Sequence, residues 1–456
     1  MLTQVLAIAR NTFVESIRQP IVFVLVMASG VAQVFNSMLS NYSMGYSMVE
    51  GEVTGDDKMF LDIGLATVMG CATLLAAFIA TAVISREIEQ KTALTVISKP
   101  IGRPLFVVGK FLGVAGAMTA ATAVMLAFFL FTLQHGVMSR AYDDPDRPVQ
   151  IIAISSVVLA LGIALWGNYF YGWVFTSAAM YGMIPLTVLG LIVTLFFDEK
   201  WRFHENVADL FKDEVKPGVL LACAAVWMAM LVLTAVAVAA STRMKQVMTI
   251  LLCFGVFVFG LLSNHFIGRR AFQNTPAGTV ITAEPIADVN GNLRESGDVW
   301  RVELKAESRV NFAPGDSVYY AGDPSGIEMV TPAHEKFVGD VNQPSNLSEP
   351  SSGPALVVRS VEERRVFTIV NAGDLWVDRP PQEGDYLFGG PTRVNWGARA
   401  AWSVAPNMQF FWLVDAITQN HPIPPRYALL LLGYTGAHVM GFLALAVMLF
   451  QNREVG

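Results

Sequence analysis

The chain has 456 residues, of which 54% are hydrophobic and only 15% are charged, and its mean hydropathy is +0.48. Soluble globular domains carry about 25% charged residues, so this composition argues against a soluble protein. Long apolar runs alternate with compact polar segments, and a helical run of about 18 or more apolar residues is long enough to cross a bilayer. The composition therefore predicts a polytopic, mostly α-helical membrane protein.

The chain begins with an amphipathic segment, residues 2–18. Arg10, Glu15 and Arg18 interrupt it and no cleavage-like site follows, so it does not resemble a signal peptide and the first span is expected to be retained. Apolar residues recur at three- and four-residue spacing, which predicts a helix with one apolar face. That face comprises Leu2, Val5, Leu6, Ala9, Phe13 and Ile17.

Eight membrane spans are expected from the apolar runs. Residues 151–197 are uncharged and about twice the length of one crossing, which predicts two helices with a short turn near Tyr171-Gly172. The alternative is one broken membrane element over 150–197. The eight predicted spans are 21–38, 60–84, 105–134, 150–173, 174–197, 217–240, 246–264 and 427–450.

Positive charge in short loops predicts the orientation. With eight spans, the basic N-terminal segment, the loop Ser85–Pro104, the turn Ser241–Gln246 and the C-terminal tail fall on one side, which is expected to be the cytoplasm. Both chain termini are then cytoplasmic. The acid-rich loops 39–59 and 135–149 fall outside.

Three parts of the chain follow from this pattern. Residues 1–267 form the predicted membrane core, residues 268–423 a polar, β-rich, extracytoplasmic domain, and residues 424–456 the last span and tail. Short strands and the turns Pro-Gly-Asp at 314–316 and Glu-Gly-Asp at 383–385 predict a small barrel or sandwich. Its acidic composition argues against nucleic acid as a partner. The predicted strands are Gly278–Ala283, Val299–Lys305, Asp316–Tyr320, Ala355–Val361, Val366–Val370 and Asp385–Phe388.

Two further features belong to the expected organisation. Residues 198–216 place Trp201 and Phe211 on one face of a helix with a charged opposite face, which suits a helix in the outer membrane interface. No internal repeat is apparent from the residues alone.

Residues 85–113, SREIEQKTALTVISKPIGRPLFVVGKFLG, are similar to the first cytoplasmic loop of ABC-2-type permeases. The amphipathic opening ARNTFVESIRQP at 9–20 also resembles that family. WSVAPNMQFFWLVDAI at 402–417 and LFQNREV at 449–455 resemble its subgroup of multi-copper enzyme maturation permeases. The polar domain is a departure from the family core. The positions that carry the loop resemblance are Glu87, Glu89, Lys91, Thr92, Ser98, Lys99, Pro100, Arg103, Gly109 and Lys110.

The resemblance implies the permease subunit of an ABC transporter in a bacterial inner membrane. A separate ATPase subunit would bind ATP and Mg²⁺ and drive export of an unidentified substrate, so this chain would hold no cofactor and would not itself be an enzyme. The permease would form a homodimer, or a heterodimer with a second permease, within membrane lipid. Another hypothesis stays open, in which an ABC-like core transmits force or a signal without passing a substrate.

The loop 85–104 is the expected ATPase-coupling element. It carries both signs of charge, and Pro100 and Pro104 limit its flexibility. The competing interpretation is an ordinary charged loop that obeys the positive-inside rule. The chain has no G-x-x-x-x-G-K-[ST] phosphate loop, because Phe111 follows Gly109-Lys110. The predicted coupling residues are Arg86, Glu87, Glu89, Lys91, Thr92, Lys99, Pro100 and Arg103.

The remaining candidates are weaker. Gly113, Ala117 and Ala121 form a small-residue stripe that favours close helix packing over a substrate path. The aromatic residues near the turn at 171–172 suit an interface belt, with a path lining as the alternative. No ionisable residue lies in the central part of a predicted span, which argues against proton or sodium coupling. The six histidines and three cysteines show no metal-ligand spacing, and no catalytic constellation is apparent.

Overall fold

A computed structural model of the chain shows two compact units, Met1–Phe259 with Met408–Gly456, and Gly260–Asn407. The sequence places the corresponding divisions at 268 and 423. The described residues are 2–39, 55–85, 102–135, 146–197, 201–203, 217–274, 276–286, 297–322, 336–343, 347, 356–372, 380–389, 393–418, 423 and 425–451.

The described part of the chain contains eight apolar helices that are long enough to span a membrane, which confirms the predicted number. They follow an amphipathic helix α1 at Leu2–Ile17. The eight are α2 Pro20–Leu39, α3 Gly55–Ala80, α4 Arg103–His135, α5 Arg147–Tyr171, α6 Phe175–Thr194, α7 Pro217–Ser241, α8 Gln246–Ser263 and, after a shorter α9 at Trp396–Val404, α10 Pro425–Gln451.

The uncharged stretch 151–197 forms two helices, as predicted. α5 ends at Gly172, whose φ of 67° is the left-handed conformation that glycine adopts without strain. The amide of Gly172 donates to the carbonyl of Asn168, and that of Trp173 to the carbonyl of Gly167. The turn that separates α5 from α6 is therefore a hydrogen-bonded helix cap.

Three helices, α3, α4 and α7, form the buried centre of the helical unit. Amide side chains on α2 connect it to α3 inside this apolar interior. Gln33 Nε2 donates to the Gly64 carbonyl at 2.8 Å, and Asn36 Nδ2 donates to the Phe60 carbonyl at 3.0 Å. Both amide side chains are fully buried, so these bonds compensate part of the cost of removing them from water.

The interfacial helix predicted over 198–216 is wrong at its start. Phe203 forms an antiparallel bridge with Phe197, and Trp201 has a φ of 58°. The rings of Phe197 and Phe203 lie 5.3 Å apart, edge to face. The described residues here are therefore bridged through aromatic side chains and are not helical, and residues 198–200 and 204–216 lie outside the described part of the chain.

The second unit contains a six-stranded antiparallel sheet in the order β4-β7-β2-β3-β6-β5. The ends of all six strands lie within two residues of the predicted ends. The prediction succeeds because apolar residues alternate along each strand and turns with Gly and Asp bound the strands. The two edge strands meet through a bridge between Ser317 and Val357. The sheet therefore closes into a barrel. Its strands are β2 Pro276–Pro285, β3 Val299–Leu304, β4 Val318–Ala321, β5 Leu356–Glu363, β6 Val366–Asn371 and β7 Tyr386–Gly389.

Each half of the barrel carries the same turn. Gly315 and Gly384 have φ angles of +89° and +93°, and each precedes an aspartate. Asp316 Oδ2 accepts from the amide of Ala313 at 2.8 Å, and Asp385 Oδ2 accepts from the amide of Gln382 at 2.9 Å.

Each Gly-Asp turn also holds one valine on a neighbouring strand. The Gly315 amide donates to the Val358 carbonyl, and the Val358 amide donates to the backbone carbonyl of Asp316. In the other half the Gly384 amide donates to the Val280 carbonyl, and the Val280 amide donates to the backbone carbonyl of Asp385.

The barrel consequently contains a structural repeat in which β2, β3 and β4 correspond to β5, β6 and β7. Aligning Val280 with Val358 sets PAGTVITAEP at 276–285 against PALVVRSVEE at 354–363. The expectation of no internal repeat is wrong. The two segments share few identical residues, and these can be aligned only once the matching hydrogen bonds of the two turns are known. The buried interior draws on both halves and comprises Val280, Trp300, Val302, Leu304, Val318, Tyr320, Leu356, Val358, Phe367, Ile369 and Leu387.

The chain enters and leaves the barrel through a two-stranded stem. β1 at Phe272–Gln273 pairs with β8 at Arg393–Val394, both of which the sequence did not predict. Beside the stem, Asn264 Oδ1 accepts from Trp402 Nε1 at 3.0 Å and from Asn407 Nδ2 at 2.6 Å. The first of these bonds connects Trp402 of α9 to the π-helical turn Asn264–Gly268.

Candidate partner-docking end of the helical unit

Two arginines cap the C-terminus of α10. Arg103 Nη1 donates to the Gln451 carbonyl and Arg243 Nε donates to the Leu449 carbonyl, both at 2.9 Å. The last carbonyls of a helix lack intrahelical partners and carry partial negative charge, so cationic donors suit them. The start of α4, the turn between α7 and α8 and the end of α10 therefore meet at one end of the helical unit, here called the polar end.

Helix α1 packs against the same part of α4 through glycines. A Cβ at Gly109 would lie 2.9 Å from the Ile8 side chain, and one at Gly113 would lie 2.4 Å from Thr12 Cβ and 2.5 Å from the Ala9 carbonyl oxygen. Gly116 faces the ring of Phe13. Three glycines thus let the backbones approach closely, as small residues do between membrane helices.

An ion pair accompanies this glycine contact. Lys110 Nζ lies 3.8 Å from Glu15 Oε2, and the side chain of Lys110 is only 3% exposed. The ammonium also lies 5.7 Å from the centre of the Phe106 ring. A charged group is costly in an apolar interior unless an opposite charge compensates it. The pair therefore favours one position of α1 along α4.

The face of α1 that contacts protein agrees in part with its predicted apolar face, because Val5 and Ile17 are buried. Thr12 and Ser16 are fully buried, whereas Leu2 and Leu6 are 73% and 55% exposed. Small polar residues suit the contact because the facing glycines leave room only for short side chains. Ser16 Oγ donates to the Thr12 carbonyl, which satisfies the hydroxyl within the helix.

Of the predicted coupling residues, the structure describes only Arg103. Arg86, Glu87, Glu89, Lys91, Thr92, Lys99 and Pro100 lie outside the described residues. Arg103 is brought together with Arg243, the last turn of α10 and, through α4, with α1. The sequence reasoning missed the Glu15–Lys110 pair. The spacing of Gly109, Gly113 and Gly116 around that lysine was the available signal, since it marks the α4 face that accepts another helix.

The described residues contain no group of three or more His, Cys, Asp or Glu side chains that could hold a metal ion. Cys223 and Cys253 are buried and Cys71 is partly exposed, and all three are free thiols within membrane-length helices.

The fold defines a multi-pass, mostly helical membrane protein with a separate β-sheet unit. Comparison of the chain with protein-family models, curated proteins and solved structures gives no match.

Proposed function

We propose that the chain is the permease subunit of an ABC-2-type transporter, with the polar end as the docking surface for a separate ATPase. The observation that carries this proposal is the convergence of α1, Arg103 and Arg243 at one end of the helical unit. Arg103 ends the loop whose sequence resembles the coupling loop of that family. The proposal places this end in the cytoplasm of a bacterium and the ATP and Mg²⁺ on the partner.

The polar end has the mechanical properties that such docking requires. Nucleotide-driven movement must pass through an element that does not simply deform. The glycine contact and the Glu15–Lys110 pair join α1 to α4, while two arginines join α4 and the α7–α8 turn to α10. A partner that displaces the start of α4 therefore also acts on α1, on α10 and on the turn between α7 and α8.

The coupling role is tested by reversing charge in the loop. Glu87→Lys combined with Glu89→Lys places positive charge against the docking groove. Like charges across an interface cost several kcal/mol, and every 1.4 kcal/mol is about tenfold in affinity. We expect at least about a tenfold loss of the ATPase that co-purifies with the full-length chain from its own membranes.

The matched control carries the same charge change in the second unit, Glu307→Lys with Glu383→Lys. Both carboxylates are exposed there. The control should retain the ATPase, and both variants should insert to the same level as the unmodified protein. If the loop variant retains as much ATPase as the unmodified protein, residues 85–104 are not the docking surface, and their charges serve only to orient the chain in the membrane.

A second function remains in competition because the chain carries a closed barrel with a structural repeat beyond the membrane helices. In this proposal the helical unit passes force or a signal to the barrel and no substrate moves. The two proposals differ in proteoliposomes that contain the chain and its ATPase. Transport predicts ATP hydrolysis that rises with a translocated substrate, whereas force transmission predicts hydrolysis that responds only to a ligand of the barrel.

A further inference from the structure

The turn between α5 and α6 presents five exposed aromatic side chains. Their exposed fractions range from 50% to 82%. The rings of Trp166 and Phe170 lie 4.2 Å apart, and those of Tyr171 and Trp173 lie 5.6 Å apart. Residues 166–174 are here called the aromatic turn, and its exposed rings belong to Trp166, Tyr169, Phe170, Tyr171 and Trp173.

The aromatic turn satisfies much of its own hydrogen bonding. Besides the two backbone bonds that cap α5, Asn168 Nδ2 donates to the Trp173 carbonyl at 2.6 Å. The Trp173 ring covers Gly167, where a Cβ would lie 2.1 Å from it. Backbone groups that are bonded within the chain can leave bulk water at little cost, which is the condition for entering a bilayer.

The composition of the turn points the same way. No Asp, Glu, Lys or Arg occurs between residues 151 and 197. Connections that project into water are normally polar, whereas tryptophan and tyrosine concentrate at the level of lipid headgroups. The aromatic turn therefore has the composition of a membrane interface.

Contacts with α1 and α4 set the level of the turn. The Arg18 carbonyl accepts a hydrogen bond from Thr176 Oγ1 at 3.1 Å, and the rings of Phe13 and Tyr181 are 6.5 Å apart. Phe13 also faces Gly116 of α4. The start of α6 therefore packs beside α1.

At the other end of α6, Thr194 Oγ1 donates to Gln134 Oε1 of α4 at 2.7 Å, which places these two residues at a similar height. From that shared height, α4 continues further than α6. At about 1.5 Å per residue, the segment from Gln134 to Arg103 spans about 47 Å, and that from Thr194 to Phe175 about 29 Å. Because the two helices run side by side, the aromatic turn lies about 18 Å deeper than Arg103. The start of α4 reaches water while the turn stays at a lower level.

We infer that the aromatic turn binds the headgroup and glycerol layer of the bilayer leaflet at the polar end. Its partner is glycerophospholipid, with the ring faces against the upper acyl chains and the indole and phenol polar atoms toward the headgroups. The turn anchors the α5–α6 hairpin at a fixed depth, and the contacts of α6 with α1 extend this anchoring to the first helix. This inference stands independently of the proposed transport function.

The depth of the turn can be measured in the full-length chain. Tyr169→Cys, labelled with a bimane fluorophore, is reconstituted into phosphatidylcholine vesicles. The lipids carry bromine either near the glycerol or near the acyl-chain end, and iodide serves as the aqueous quencher. We expect the largest loss of fluorescence with bromine near the glycerol. Tyr171→Cys provides a second reporter should the first variant fold poorly.

Two matched variants calibrate the measurement. Val158→Cys lies on the exposed face of α5 and should be quenched by bromine near the acyl-chain end, and Val338→Cys, 95% exposed in the second unit, should be quenched by iodide. Unsubstituted protein gives the background from the native cysteines. Quenching of the turn reporters by iodide alone would show a water-facing turn, and protection from all quenchers would show a protein cover; either result overturns the inference.

Discussion

At the scale of single residues, Gly113 limits how closely α1 can approach α4. A Cβ there would lie 2.5 Å from the backbone oxygen of Ala9, and backbone cannot move aside as a flexible side chain can. We expect Gly113→Ala to destabilise the helical unit by about 1–3 kcal/mol, the usual cost of overpacking. Thermal unfolding in detergent, followed by intrinsic fluorescence, measures the loss.

Gly162→Ala is the control for this substitution. It lies within α5, and nothing is within 4 Å of its added Cβ. Alanine has the higher helix propensity by up to about 1 kcal/mol, so the control should be neutral or slightly stabilising. An equally stable Gly113→Ala variant would mean that α1 is not held in this contact.

The Glu15–Lys110 pair makes a second prediction at this scale. Glu15→Lys or Lys110→Glu alone places like charges beside each other, whereas the double exchange restores an opposite pair. Because Glu15 is 40% exposed, we expect each single loss to fall below the about 3–5 kcal/mol typical of fully buried pairs. A double-mutant cycle on thermal stability should give a favourable coupling, and strict additivity of the two single losses would contradict it.

At the scale of elements, the aspartates of the two barrel turns can be compared with each other, because they occupy equivalent positions. Asp316→Ala and Asp385→Ala each remove a carboxylate that accepts a backbone amide. A hydrogen bond to a charged group contributes about 1.5–3 kcal/mol. Asp316 also pairs at 2.9 Å with Lys336, but that lysine is 71% exposed and its contribution is correspondingly small.

Each substitution should loosen a different strand. Hydrogen–deuterium exchange should accelerate at least about tenfold around Val358 in Asp316→Ala and around Val280 in Asp385→Ala. Each variant serves as the control of the other. Equal acceleration of both strands in both variants would argue that the barrel opens only as a whole and that the turns do not act locally.

Elements were predictable where a local pattern dictates them. Long apolar runs identified the eight helices, and alternating residues between Gly-Asp turns identified six strands. Barrel closure was not predictable, because the bridge from Ser317 to Val357 joins positions that no local pattern relates. The buried face of α1 was predicted only in part: Val5 and Ile17 are buried as expected, but the contact with the glycines of α4 also buries Thr12 and Ser16, and it leaves Leu2 and Leu6 exposed. The structure leaves most of the predicted coupling loop untested.

At the scale of the whole molecule, one span, α8, lies between the α7–α8 turn and the barrel, which predicts that these two parts of the chain are exposed on opposite sides of the membrane. Val338→Cys should react with a membrane-impermeant maleimide in intact cells. Lys245→Cys, exposed in the turn between α7 and α8, should react only after the membrane is permeabilised. The reverse pattern would invert the orientation, and labelling of both residues in intact cells would contradict a membrane crossing by α8.

The structural repeat within the barrel has a consequence for how such a barrel can be assembled. β3 pairs with its counterpart β6, and β4 pairs with its counterpart β7. A shorter chain with a single three-stranded copy could therefore have built the same barrel from two molecules, with β3 and β4 each pairing with the identical strand of its mate. Two copies within one chain remove that requirement. In the present chain one polypeptide closes a complete barrel, so the stoichiometry of the membrane helices is free to differ from the symmetry of the domain they carry.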